Sequence, residues 1–181
     1  MNCARREVYT VHVNSQSIQT PQTNSNFVGY IDIPLRNVVK AELLMASIAP
    51  NSNTVGVVHL YVQELISKFN LRAPISTAIA TSNVVTTIGS STGTLSNVAF
   101  INNAFATLPY GPESKLDATP GRLVFNKESN FPTDVEYIEP IRYLDRLTIQ
   151  LYDSLGVPLA TSSISYLTFR FECAKDNKCQ Y

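Results

Sequence analysis

The chain has 181 residues, of which 44% are hydrophobic, and this suits one domain with one core. Its 14 basic and 14 acidic side chains give a net charge of zero with no Lys/Arg block, which argues against direct nucleic-acid binding. Charged residues make up only 15%, so the surface does little to prevent self-association.

The first two predicted strands lie near the N-terminus. Residues 7–13 alternate apolar and polar side chains with the two-residue period of a strand, and residues 14–26 form a polar connection. Residues 27–33 predict the second strand, which Pro34 ends because proline cannot donate to a ladder. One face of this strand is predicted to carry Phe27, Gly29, Ile31 and Ile33.

The next two strands are predicted to form a hairpin. Residues 38–48 include good helix formers, but their β-branched start and the turn signal at residues 50–53 favour a strand. Residues 55–62 follow as its partner. Its expected inward positions are Val58, Leu60 and Val62, and its outward positions are His59 and Tyr61.

The middle of the chain, residues 72–122, is predicted to be a long excursion of strands and loops. A short helical turn is expected before it, at residues 64–70. Inside it, residues 75–80, 84–88 and 98–105 have strand character, and Pro and Gly residues signal loops. Residues 123–126 predict the next strand.

Residues 137–159 are predicted to contain a strand, its turn and the start of the partner strand. Residues 135–138 lead into this segment. The strand alternates Leu147, Ile149 and Leu151 with polar positions. Residues 153–156 then suit a hairpin loop, with Gly156 as the left-handed residue. Residues 166–173 close the fold, with Leu167, Phe169 and Phe171 on one face.

Together these segments predict an all-β fold. Eight or nine strands with turn signals between them and no sustained helix are typical of a single antiparallel jelly-roll β-sandwich, with two sheets spanning residues 1–181. An immunoglobulin-like sandwich is the runner-up. No tryptophan and no suitably placed cysteine pair support it.

The ends of the chain bear on its compartment and redox state. No run approaches the roughly 20 apolar residues of a spanning helix, and MNCARREVYT has no apolar stretch behind its charges, so we expect no transmembrane segment, no signal peptide and cytosolic synthesis. Cys3, Cys173 and Cys179 are then expected to be free thiols, with Cys173 buried. A Cys173–Cys179 bridge, or a link from Cys3, stays open if the first and last strands are neighbours.

Two pairs of segments carry a family resemblance. LRNVVKAELLMASIAPN with VVHLYVQEL, and YIEPIRYLDRLTIQLYDSLGVPL with YLTFRFEC, resemble the capsid jelly rolls of nucleocytoplasmic large DNA viruses and their smaller relatives. In that group a strand of this pattern is often followed by an Asp-x-x-Gly hairpin and a proline. The matching residues are Leu144, Asp145, Arg146, Leu147, Thr148, Ile149, Asp153, Gly156 and Pro158.

The resemblance implies a structural role in a virion. Since the chain is long enough for only one jelly roll, it is similar to the single-jelly-roll penton proteins, which form homopentamers at icosahedral vertices. We therefore expect a partner in itself and in neighbouring major and minor capsid proteins, with assembly in the host cytoplasm. A minor capsid protein between capsomers is the nearest alternative.

The sequence predicts no catalytic, cofactor-binding or metal-binding residues, and we expect no enzyme. His12 and His59 are the only histidines and are predicted to lie on the polar faces of strands, too few ligands for a cupin-like metal centre. Asp134, Glu136 and Glu139 form a carboxylate cluster without the glycine turn of a calcium loop. A solvated strand edge is the favoured interpretation.

Tyrosine is the residue type most suggestive of binding. Outward tyrosines suit protein contacts, and they equally suit cross-strand pairs. The nine are Tyr9, Tyr30, Tyr61, Tyr110, Tyr137, Tyr143, Tyr152, Tyr166 and Tyr181. A carbohydrate- or receptor-binding module of a fibre or spike is therefore a second hypothesis, with Asn102, Asn103 and Tyr110 as its nearest candidate residues.

Overall fold

Period-two alternation of apolar side chains builds an all-β structure. The computed structural model describes residues 6–16, 23–51, 56–66, 104–109, 122–127, 133–154 and 156–175. These residues contain a 3-10 turn, Gln63–Leu65, and seven strands. The strands are β1 (Arg6–Asn14), β2 (Asn26–Ile48), β3 (Val57–Val62), β4 (Ala106–Pro109), β5 (Leu123–Asn126), β6 (Thr133–Tyr152) and β7 (Tyr166–Ala174).

The strands form one curled antiparallel sheet, a half-barrel. Its order is β1-β7-β2-β6-β3-β4, and β5 pairs with the end of β2. Apolar side chains from all seven strands meet inside the curl. The largest fully buried ones are Phe27, Phe169, Phe171, Leu43, Ile48, Leu60, Leu65, Leu108, Leu123, Leu144, Leu147 and Ile149.

The curl brings the start of β2 against β1. In the sheet, β7 lies between β1 and the second half of β2. The first half of β2 nevertheless contacts β1 directly, since a Cβ atom on Gly29 of β2 would collide with Cγ1 of Val13 in β1. The Ser15 hydroxyl donates to Asn24 Oδ1 at 2.7 Å, and the Ser165 hydroxyl donates to the Asn24 carbonyl at 2.8 Å. These contacts hold together the end of β1, the start of β2 with the residues just before it, and the residue just before β7.

The two long strands, β2 and β6, contain equal and opposite shifts in pairing. Between the pairs Tyr30↔Arg146 and Leu35↔Leu144, four residues of β2 face one residue of β6. Between Val38↔Ile141 and Lys40↔Glu136, four residues of β6 face one of β2. The three extra residues on each side cancel, so the original register resumes. Such irregularities bend a strand, which is why both strands follow the curl.

Several predictions from the sequence are confirmed. β1, β5 and β7 lie where expected, and residues 38–48 are strand. The turn after β6 has Gly156 at a φ of 76°, with the Gly156 amide donating to the Asp153 carbonyl at 3.1 Å. The Val157 amide donates to the Asp153 carboxylate at 2.9 Å, the side-chain bond expected of aspartate at a turn. The partner segment contributes only an isolated bridge, Tyr152↔Pro158.

The prediction that Pro34 ends the second strand is wrong. β2 continues through it, because residues 31–34 lie within the register shift and have no partners in the ladder, so the missing N–H costs no hydrogen bond. Ile33, predicted to share a face with Phe27, is 77% exposed for the same reason, whereas Phe27 is buried.

The predicted hairpin between residues 38–48 and 55–62 is also wrong. β3 pairs with β4 and β6, whereas β2 pairs with β5, β6 and β7. His59 and Tyr61 were expected to be outward, yet they are only 8% and 9% exposed. β3 is an inner strand of the sheet and is covered on both faces, so alternation does not reveal an exposed side.

The excursion is described only in part. The helical turn appears as the 3-10 turn at Gln63–Leu65. Ala104 and Phe105 are not in a strand, and β4 follows them and includes Pro109, which was predicted to signal a loop. The predicted strands at residues 75–80 and 84–88, and the first part of that at 98–105, lie outside the described residues.

Candidate interaction surface

The bend of β2 and β6 forms a two-stranded corner, residues 30–38 and 137–146, which we call the corner ribbon. Each strand carries a proline at its extra residues, Pro34 and Pro140, where the missing N–H removes no ladder bond. Asn37 lies in β2 between the two register shifts and has a φ of 52°, a left-handed conformation that asparagine tolerates better than most residues. The sequence therefore fixes the bend at these positions.

Apolar side chains on the corner ribbon face solvent. Ile33 and Ile138, one from each set of extra residues, are 77% and 75% exposed, and Tyr30 and Tyr143 are 71% and 54% exposed. Four side chains of this size present on the order of 400–500 Å² of accessible area. Isolated exposed apolar residues are ordinary, but four within two paired segments make a candidate contact surface.

The charges of the corner ribbon are balanced and mostly unpaired. It carries three acidic and three basic side chains, all exposed: Asp32, Arg36, Glu139, Arg142, Asp145 and Arg146. Of these six side chains, only Arg146 forms an ion pair within the described residues, with Glu64 at 3.7 Å. A surface with equal numbers of both signs repels neither a copy of itself nor a mixed-charge neighbour.

The 3-10 turn holds the corner ribbon in place. The Glu64 carboxylate accepts hydrogen bonds from the Thr148 amide and the Thr148 hydroxyl, both at 2.6 Å, next to the point where the β3 ladder ends at Val62↔Ile149. The Tyr137 hydroxyl donates to the Leu65 carbonyl at 3.1 Å. The contacts of Tyr137 and Arg146 therefore tie the ribbon to the 3-10 turn.

Stability at alkaline pH is expected to depend on Tyr137. Burial raises the pKa of Tyr137 well above its ordinary value of 10.0. The folded state therefore holds the phenol proton more tightly than the unfolded state, so this stabilisation is complete below pH 10 and falls as the pH rises above it. Between pH 9.5 and 11.5 the free energy of unfolding should fall less steeply in Tyr137→Phe than in the wild type, by about 1 kcal/mol per pH unit.

The measurement for this prediction is urea unfolding of both proteins across that pH range. At pH 7 the variant should lose about 0.5–1.5 kcal/mol, the usual value of a hydrogen bond such as the one to Leu65. Tyr143→Phe, at an exposed position of the same strand, is the matched control and should follow the wild-type curve. Parallel curves for wild type and Tyr137→Phe would contradict the prediction.

The structure does not bring the two histidines together. His12 on β1 is exposed and its Nδ1 lies 3.1 Å from the Thr168 hydroxyl, whereas the buried His59 on β3 has its Nδ1 3.1 Å from the Thr107 hydroxyl. Three strands separate β1 from β3 in the sheet. No group of three or more His, Cys, Asp or Glu side chains in the described ranges is arranged to hold a metal ion.

The carboxylate cluster is divided between two environments. Asp134 and Glu136 flank Lys40, whose Nζ lies 2.6 Å and 3.8 Å from their oxygens. The hydrogen bond with Asp134 raises the pKa of Lys40. Glu139 lies on the exposed corner ribbon. Asp134 and Glu136 thus belong to an ion-paired strand surface, and Glu139 does not share it.

The tyrosines divide in the same way. Tyr9, Tyr30, Tyr143 and Tyr166 are exposed, whereas Tyr61 and Tyr152 are buried. Tyr110, Tyr181 and the candidate pair Asn102 and Asn103 lie outside the described residues. The tyrosines available for contacts are thus fewer than the alternation of the strands suggests.

Cys173 is a buried free thiol, as predicted. Burial raises its pKa, with a smaller contribution from Glu7, which keeps the sulfur protonated and weakly reactive. β1 and β7 are neighbours, with Arg6 opposite Ala174. Cys3 and Cys179 lie outside the described residues.

The most exposed residues of the corner ribbon were not identified from the sequence. Ile33 shares a face with Phe27 in the sequence pattern, and residues 135–138 were assigned only as the segment that leads into the next strand. The available signal was the proline that follows Ile33 and Ile138, at one and two residues, because proline inside a strand pattern marks a bulge.

The fold and the surface define a class: an antiparallel curled-sheet protein with an exposed, charge-balanced corner. The described residues include no helix with the length and apolar character needed to cross a bilayer. Neither a protein-family model nor a curated protein sequence matches this chain.

Proposed function

We propose that this chain is a structural capsid protein, a penton that forms a homopentamer at the icosahedral vertices of a double-stranded-DNA virus and contacts neighbouring major and minor capsid proteins. The observation that carries the proposal is the corner ribbon, an exposed surface with apolar anchors from two strands. The resemblance of residues 144–158 to capsid jelly rolls supplies the assembly context.

The bends in β2 and β6 support a jelly roll as the finer architecture. The first half of β2 pairs with the second half of β6, which continues to β3 and β4. The second half of β2 pairs with β7, β5 and the first half of β6, and β7 continues to β1. Strands that pass from one sheet to the other at bulges are a known way to make the corners of a sandwich.

The surface composition supports assembly with copies of the same chain. A five-fold ring uses heterologous contacts, in which one surface of each copy meets a different surface of the next. The corner ribbon supplies one apolar set, and Val8 and Met45, which are 52% and 41% exposed and lie outside the ribbon, are candidates for the surface that it meets. A stable interface buries about 800 Å² per partner, so the ribbon has the size of an apolar centre with its charged residues as the rim.

Native mass spectrometry over a concentration series, with negative-stain imaging, tests this function. We expect a five-fold ring, and we expect Ile138→Asp to raise the concentration at half assembly by about tenfold or more, because one lost anchor costs at least about 1.4 kcal/mol. Ile66→Asp is the matched control, since Ile66 is 43% exposed but lies outside the ribbon. It should assemble like the wild type.

Other outcomes separate the alternatives. A trimer would favour the carbohydrate- or receptor-binding module of a fibre or spike. Association only after a neighbouring capsid protein is added would favour a minor capsid protein between capsomers. A ring that forms equally well in wild type and Ile138→Asp would show that the corner ribbon is not the contact surface.

A further inference from the structure

Arg122, just before β5, has a guanidinium with only neutral partners. Its Nε donates to the Ser47 hydroxyl at 2.6 Å, its Nη1 to the Ser163 hydroxyl at 3.1 Å, and its Nη2 to the Ile164 carbonyl at 3.2 Å. The guanidinium carbon lies 5.6 Å from the centre of the Tyr166 ring. Three of its five N–H groups are therefore used, which leaves one on each terminal nitrogen.

The carboxylates on the adjoining strands β2 and β7 are paired with other cations. Glu42 is engaged by Lys127 and by Arg170, the latter at 3.8 Å. Glu172 is engaged by Arg6 at 2.8 Å and by Arg170 at 3.8 Å. Within the described residues, Arg122 has no acidic partner. The positive charge beside Tyr166 is thus uncompensated.

The two serines add donors to the cation. Each hydroxyl accepts a hydrogen bond from Arg122 and keeps its own proton, and no acceptor in the described part of the chain takes the proton of Ser47 or Ser163. The site also opens to solvent, since Tyr166 is 39% exposed and both serines are partly exposed. A partly exposed guanidinium with two hydroxyl donors is a suitable arrangement for an oxyanion, which accepts several charge-assisted bonds at once.

We propose that Arg122, Ser47 and Ser163 form an oxyanion-binding site, for a phosphate group or a carboxylate. The remaining guanidinium N–H groups and the two hydroxyl protons supply the hydrogen bonds, and the anion neutralises the charge. The ring of Tyr166 holds the guanidinium from one face. The site lies away from the corner ribbon, so it stands independently of the proposed assembly.

The test is a titration of the full chain with inorganic phosphate, followed by the ¹H–¹⁵N signals of the arginine Nε–H groups at constant ionic strength. The Arg122 signal is assigned by its absence in Arg122→Lys. We expect it to shift saturably, with half-saturation at about 1–10 mM phosphate, whereas the same ionic strength of chloride leaves it in place. Low millimolar concentrations avoid the general stabilisation that phosphate gives at high concentration.

Variants localise the binding. Phosphate binding followed by ³¹P line width should be lost in Arg122→Gln and weakened at least threefold in Ser163→Ala, which removes one donor and leaves the cation. Arg142→Gln, the same charge change at an exposed position of β6, should bind like the wild type. Binding that survives in Arg122→Gln, or an Arg122 signal that no oxyanion moves, would overturn the proposal.

A second titration distinguishes the source of the oxyanion. Acetate stands in for a carboxylate on another protein chain. If acetate binds as tightly as phosphate, the site fits a protein carboxylate. If phosphate binds at least tenfold more tightly, the site fits a phosphate-bearing ligand. An Arg122 signal that moves with neither would overturn the proposal in both forms.

Discussion

Gly29→Ala is expected to destabilise the protein by about 2 kcal/mol, because the added methyl group collides with the Val13 side chain. Gly29 is paired with Leu147 in β6, and Val13 is paired with Leu167 in β7, so each backbone is held by its own ladder. The collision is therefore between two parts of the curled sheet, not between neighbours on one strand. Urea unfolding monitored by circular dichroism measures the loss.

Two further variants show whether that contact is the cause. Gly56→Ala is the matched control, since nothing lies within 4 Å of a Cβ atom there, and it should change the free energy of unfolding by less than about 0.5 kcal/mol. Combining Gly29→Ala with Val13→Ala should cost at least about 1 kcal/mol less than the sum of the two single changes. Additive costs would mean that the two residues do not meet.

Strand prediction was correct where one face of a strand is covered and the other is exposed. β1, β5 and β7 show this alternation, and in β7 Leu167, Phe169 and Phe171 are all buried. β3 is covered on both faces, so the polar character of His59 gave the wrong side. Alternation reports the difference between two environments, and an inner strand with two similar ones does not provide it.

Pairing between distant strands was not predictable from the sequence. The hairpin expected between residues 38–48 and 55–62 relied on their closeness in the chain, whereas β2 pairs with β6 about a hundred residues further on. Register depends on which faces are buried after the sheet has curled. The cancelling shifts in β2 and β6 therefore became visible only in three dimensions, although Pro34 and Pro140 mark where they occur.

The same limit applied to the candidate surfaces. Ile33 shares a face with the buried Phe27 in the sequence pattern, yet it lies within a register shift and is exposed, as Ile138 is in the other shift. Arg122 stands in a loop with no local signal, and its partners Ser47 and Ser163 come from two distant parts of the chain. The charge balance, by contrast, was readable from composition and recurs on the corner ribbon.

Lys127→Met is expected to destabilise the protein by about 2 kcal/mol. Glu42 is only 5% exposed and its carboxylate pairs with Lys127 and with Arg170, the latter at 3.8 Å. Removing Lys127 leaves a buried carboxylate with one distant cation, and breaking buried pairs costs roughly 3–5 kcal/mol when no second cation remains. Since Lys127 itself is 35% exposed and Arg170 stays, we expect the smaller loss.

The double variant Glu42→Met with Lys127→Met provides the decisive comparison. It should be more stable than Lys127→Met alone, within about 1 kcal/mol of wild type, because apolar side chains of similar volume replace a buried pair at little cost. Lys175→Met is the control, since Lys175 and Glu7 pair at 2.9 Å with side chains 52% and 40% exposed, and it should lose less than about 1 kcal/mol. Equal losses at Lys127 and Lys175, or a double variant weaker than Lys127→Met, would contradict the prediction that the buried Glu42 carboxylate is costly without its cation, because burial is what distinguishes the two pairs.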